Sequence, residues 1–165
     1  MLLSFADSYF DGEHIQHLFA SQSGSFMNTG AMRSEFSGVN FGVNFQFLSI
    51  TQTYLEGCGI MLLHNGCTKV YGSNGMERVK QASEIWNIMD SFGTDDARFD
   101  GYWQESCPVK SDHEGVLVSA WTRHDGSVLA VAVNMTEETA TVGLNAGEKK
   151  RSIEIAPKIP VFVQF

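Results

Sequence analysis

The chain has 165 residues, enough for one ordinary domain or two small ones. Its 43% hydrophobic, 12% aromatic and 18% charged residues suit a packed globular protein and argue against a disordered one. A net charge of -8 offers no phosphate-neutralising surface for nucleic acid. No apolar run reaches the roughly 18 residues needed to cross a membrane.

In chain order, residues 2–10 read as a strand that breaks at Asp11-Gly12. Residues 13–21 can form a short helix with Ile15, Leu18 and Phe19 on one side, and residues 28–43 form a Gly/Asn-rich loop around a helical turn at 31–37. Residues 48–64 place Leu48, Tyr54, Leu55, Met61 and Leu62 at helical spacing, although Gly57 and Gly59 each cost about 1 kcal/mol relative to alanine. Residues 67–71 are a candidate strand. The clearest element is a helix over 76–92. Val79, Ala82, Ile85, Trp86, Met89 and Phe92 form its apolar stripe, which places Trp86 in the core. Ser73 or Asn74 can cap its start, Glu77 suits its positive end, and Gly93 can close it.

After residue 98 the pattern changes to alternation. The runs 116–121, 128–133, 140–144, 152–155 and 161–165 read as strands, with turns at 124–126, 136–138 and 145–147. Short strands at this spacing predict an antiparallel β-sandwich, too small to bury its surface alone and therefore packed against the first half. The predicted fold class is thus α/β followed by all-β, divided at 1–97 and 98–165. The strand–helix units before 98 fall well short of the about 250 residues of a closed (β/α) barrel, so the first part reads as the C-terminal segment of an incomplete one.

The opening residues carry neither a basic region nor an apolar stretch of signal-peptide length. The chain is therefore either cytoplasmic or preceded by sequence that carries its signal. Cys58, Cys67 and Cys107 lack metal-ligand spacing and suit reduced, partly buried thiols. Asn134-Met135-Thr136 is a formal glycosylation sequon.

The densest chemical cluster runs from Asp7 to Glu13. On a strand, Asp7, Tyr9 and Asp11 share a face at its C-terminal end, with Glu13 just beyond. In barrels that rim carries the active site, where carboxylates exchange protons or hold sugar hydroxyls. Spacing alone favours the plainer reading, a solvated acidic turn entering a helix. His14 and His17 lie three apart beside Glu13, but the H-E-x-x-H order is missing and surface histidines are the better account. Arg33 and Glu35, among Asn28, Asn40 and Asn44, suit either hydroxyl-rich ligands or loop satisfaction. Tyr102 and Trp103 can stack on a sugar but more often serve packing. Dinucleotide, P-loop and nucleophile-elbow signatures are absent, and no cofactor is expected.

The order of motifs resembles a known family. Ser4 to Glu13 is followed by Met32-Arg33-Ser34-Glu35-Phe36-Ser37-Gly38, Phe41-Gly42, Gly59-Ile60-Met61-Leu62-Leu63-His64, Glu84-Ile85-Trp86-Asn87 and Phe99-Asp100-Gly101-Tyr102-Trp103. The series resembles the C-terminal part of glycoside-hydrolase-like barrel proteins of the family 123 kind, in which a G-Y-W segment joins the last barrel units to a β-sandwich. The resemblance implies a carbohydrate substrate and places Asp11 and Glu13 near the substrate rim, with Arg33 on a neighbouring loop. Enzymes of that family use an adjacent Asp-Glu pair with a substrate acetamido group, and this chain has no such pair. The catalytic acid and base are thus expected upstream, in a barrel segment of the same polypeptide, and this chain alone is expected to be inactive. The alternatives are a non-catalytic carbohydrate-binding or structural sandwich module, and a small metalloprotein using His14 and His17.

Overall fold

The computed structural model describes residues 8–11, 44–47, 54–68 and 75–165. Two short strands, β1 (Ser8–Asp11) and β2 (Asn44–Phe47), pair in parallel, and β3 (Cys67–Thr68) adds to β2 in the same direction. Parallel neighbours need a crossover, and between β2 and β3 it contains helix α1 (Tyr54–Leu63). Only the part of the expected 48–64 helix from Tyr54 onward falls on described residues, and of the expected 67–71 strand only Cys67 and Thr68 do. The expected 13–21 helix and 28–43 loop lie outside the described residues.

Gly57 and Gly59, read from propensity as weak points, are both buried inside α1. A Cβ on Gly59 would lie 3.1 Å from the Lys158 carbonyl oxygen and 3.3 Å from a Val133 methyl. Here the helix gives up propensity so that its backbone can lie close against the sheet. Asn65 adopts a left-handed φ of 57° beyond the end of α1, where the Gly66 N–H bonds to the Met61 carbonyl at 2.8 Å.

Helix α2 (Gly75–Phe92) forms where the apolar period predicts it. Gly93 closes it with φ 79°, donating to the Met89 carbonyl at 2.9 Å. The buried face is narrower than the stripe. Ala82, Ile85 and Phe92 are buried, but Val79 is 45% and Trp86 47% exposed, so Trp86 does not belong to the core. Val79 and Trp86 lie seven residues apart, close to two turns, and therefore share one flank that the core does not cover.

After a single 3-10 turn (Thr94–Asp96), the chain forms β4 (Arg98–Asp100), β5 (Lys110–Ser111), β6 (Val116–Thr122), β7 (Val128–Asn134), β8 (Ala140–Ala146), β9 (Lys149–Ile155) and β10 (Pro160–Gln164). They make two antiparallel sheets, ordered β10-β7-β6-β4 and β5-β8-β9. The β6–β7 turn is held by Gly126 at φ 85° and by the Asp125 carboxylate, which accepts from the Ser127 N–H at 2.9 Å. Asn145 and Ala146, expected in a turn, instead pair with Lys150 and Lys149, and Gly147 at φ 58° makes the reversal.

The central sheet is buried on both faces. Val116, Val118, Ala120, Val128, Ala130 and Ala132 pack with Val142, Leu144 and Ile155 of the second sheet. The alternate positions Trp121, Leu129, Val131 and Val133 pack with Tyr54, Cys58, Leu62 and Leu63 of α1 and with Ala82, Ile85 and Phe92 of α2. Every residue of β7 is buried. Helices, central sheet and outer sheet thus form three layers, and the sandwich does pack against the first half of the chain.

Candidate functional site

The strand expected to lead into a substrate rim, β1, belongs to the parallel sheet. The register aligns Asp11 with Phe47 and Phe47 with Thr68, so β1, β2 and β3 end in one row at their C-terminal edge. Tyr9 and Asp11 both lie on β1, and Asn44 opens β2. Asp7, Glu13 and Arg33 lie outside the described residues, as do His14, His17, Asn28, Glu35 and Asn40. Among the described residues, no group of three or more His, Cys, Asp or Glu side chains could hold a metal ion.

A second assembly of polar and aromatic groups lies where α1 ends, just before β3 begins. Parallel strands share one polarity, so this is the edge of the sheet opposite Asp11. His64 is buried, and its Nδ1 lies 2.7 Å from the Ile60 carbonyl oxygen. That contact requires a proton on Nδ1, and Nε2 faces the Tyr102 hydroxyl at 3.5 Å. Trp103 stacks on the His64 ring with centroids 5.5 Å apart, and Tyr102 stands edge-on to both rings. The indole of Trp103 folds back over Gly101, where a Cβ would meet ring carbons at 2.4 to 2.6 Å. Glycine is therefore required at 101 by space. The G-Y-W aromatics serve packing here.

Ser119 joins this assembly to the sheet. It is fully buried in β6, and its hydroxyl donates to the Leu63 carbonyl at 2.8 Å while accepting from the Tyr102 N–H at 2.9 Å. Two residues along, the Trp121 Nε1–H donates to Asn65 Oδ1 at 3.1 Å. One strand thus holds both the end of α1 and the G-Y-W segment. Asp100 fixes the loop from below, accepting from Arg98 Nε at 3.0 Å and from the Ser106 hydroxyl at 2.8 Å. His64 entered the sequence reading only as the end of the Gly59–His64 motif, and Asn65 and Ser119 were not singled out. The available signal was Ser119, the polar residue inside the apolar run 116–121, because a buried hydroxyl needs partners.

Elsewhere the polar groups are structural. Asn134 is fully buried: its Nδ2 donates to the Glu138 and Ile155 carbonyls at 2.7 and 3.0 Å, and its Oδ1 accepts from Thr136. The sequon is therefore closed to a glycan in the folded protein. Lys158 is buried and reaches the Met135 carbonyl and, at 3.1 Å, the Glu137 carboxylate. Cys58 and Cys107 are buried, and burial pushes the Cys107 thiol above its ordinary value. Hydrogen bonds from Ser127 hold the Asp125 carboxyl below its own ordinary value.

Residues 81–160 match the family model described as glycoside hydrolase 123, C-terminal domain. The match begins inside α2 and ends at the first residue of β10, covering the joining segment and nearly all of the sandwich. Among curated proteins, nothing matches the chain.

Proposed function

Residues 81–160 are a glycoside hydrolase 123 C-terminal domain, and from that premise we propose that this chain is the C-terminal part of an enzyme hydrolysing glycosidic bonds in oligo- or polysaccharides. In this reading β1–β3 with α1 and α2 are the last units of a (β/α) barrel. Asp11 and Tyr9, together with Asp7, Glu13 and Arg33, contribute to the sugar-binding rim. Carboxylates at such a rim protonate the leaving oxygen, activate water or bind hydroxyls, and an arginine there can donate two hydrogen bonds to sugar or carboxylate oxygens.

The observation that carries this reading is the opposition of the two edges. Asp11 ends its strand in the row formed by Phe47 and Thr68, whereas His64, Tyr102 and Ser119 bind the sandwich at the other edge. In barrel enzymes chemistry belongs to the C-terminal edge and stability to the N-terminal one. The sandwich is thus a brace for the barrel. A free-standing sugar-binding platform fits less well, because the central sheet is covered on both sides and the outer sheet shows solvent Thr141, Lys150, Ser152 and Glu154, none of them aromatic.

The test uses a panel of chromogenic glycosides. This chain by itself is expected to release no chromophore. In an active enzyme containing it, Asp11→Asn should lower kcat/KM by about 100-fold or more if the carboxylate transfers a proton. It should raise KM alone if Asp11 only binds the sugar. Unchanged kinetics would remove Asp11 from the site.

A further inference from the structure

We propose that Asn65 is a site of self-deamidation, and that its reaction is gated by opening of the last turn of α1. Asn65 is followed by Gly66, which leaves the nucleophile of this reaction unhindered because glycine carries no Cβ. The Gly66 backbone nitrogen loses its proton and attacks Asn65 Cγ, and the side-chain nitrogen leaves as ammonia. The five-membered succinimide so formed takes up water at one of its two carbonyls. It opens to aspartate, or to isoaspartate, in which the main chain runs through the former side-chain carbon. Water is the co-reactant, and Asn65 is exposed to it.

The fold restrains both reacting groups. Gly66 is buried, and its N–H donates to the Met61 carbonyl at 2.8 Å, so the nucleophile is committed to α1. Asn65 stands at a left-handed φ of 57°, with its own N–H donating to the Leu62 carbonyl at 3.3 Å. Its side chain is tied as well, Oδ1 accepting from Trp121 Nε1 at 3.1 Å. The electrophile thus meets solvent while the nucleophile does not. Attack requires the end of α1 to open and free the Gly66 nitrogen.

That same opening exposes the Gly66 amide to exchange with solvent deuterium. Two unrelated reactions therefore share one equilibrium. The factor by which folding slows deamidation of Asn65 should equal the protection factor of the Gly66 amide. The inference does not depend on any catalytic role of the chain.

The test incubates the 165-residue chain with and without unfolding concentrations of urea and follows Asn65 by tandem mass spectrometry of its peptide. Hydrogen exchange at Gly66 is measured on the folded chain in parallel. Folding should slow deamidation by at least about 10-fold, and that factor should agree with the Gly66 protection within about threefold. Ser119→Ala removes the donor to the Leu63 carbonyl without touching either reacting group, so it loosens the end of α1 alone. In this variant deamidation and Gly66 exchange should quicken by the same factor. Deamidation equally fast in folded and unfolded chains would overturn the inference. So would a slowing that departs from the Gly66 protection, or a Ser119→Ala chain in which one rate changes without the other.

Discussion

Replacing Ser119 by alanine tests how the sandwich is held to α1. The hydroxyl is fully buried and serves two backbone groups, the Leu63 carbonyl at 2.8 Å and the Tyr102 N–H at 2.9 Å. Leu63 is itself fully buried, so water cannot replace the lost donor without entering the core. A buried polar group left without its partner costs about 1–3 kcal/mol. With two groups stranded by one substitution, the expected loss is about 3 kcal/mol, offset little by the small apolar gain of alanine. For a chain of this length that corresponds to a fall in Tm of roughly 6–12 °C. Urea denaturation followed by tryptophan fluorescence suits the measurement, because Trp121 lies two residues along the same strand and Trp103 adjoins Tyr102. Ser152→Ala, on the exposed strand β9, is the control and should stay within about 0.5 kcal/mol of the parent. A Ser119→Ala loss no larger than that of the control would refute the reasoning.

Gly101→Ala forces a Cβ into the Trp103 ring and should cost about 1–3 kcal/mol by overpacking, read by the same denaturation. Trp86→Ala removes a half-exposed side chain and should cost about 1 kcal/mol, well short of the about 3–5 kcal/mol of a core tryptophan. Cys107 should resist iodoacetamide in the native protein and react once it is unfolded, as peptide mapping would show. Because burial raises the Cys107 thiol, its contribution to stability is complete below the ordinary thiol value and declines as pH rises towards the folded one. Stability against pH should therefore fall less steeply on the alkaline side in Cys107→Ala than in the parent.

Most of the second half was legible because its strands follow two simple periods. α2, β6, β7 and β10 form within a residue of where the pattern places them, whereas β8 and β9 extend past it through Asn145-Ala146 and Lys149-Lys150-Arg151. The assignment of Trp86 failed because periodicity locates a stripe but not its buried width, which depends on what packs against the helix. The run 128–133 is apolar at every position, which signals burial without naming the two layers that cover it. Contacts between distant residues were out of reach. Ser119 meets Leu63 across 56 positions and Tyr102 meets His64 across 38, and no local pattern encodes either. Of the expected 2–10 strand, the described part forms β1 and runs one residue further, to Asp11; what Asp11 meets there is a matter of tertiary structure.

The central sheet has one further consequence. A module tethered by a linker can swing, and its host can open and shut around a ligand. Here Trp121, Leu129, Val131 and Val133 are wedged between the strands and two helices that precede them in the chain. Turning the strands relative to those helices would break a close-packed apolar layer and the Ser119 bonds together. Such a joint behaves as a weld. Any relative movement within the molecule must arise elsewhere, while this part serves as a fixed frame.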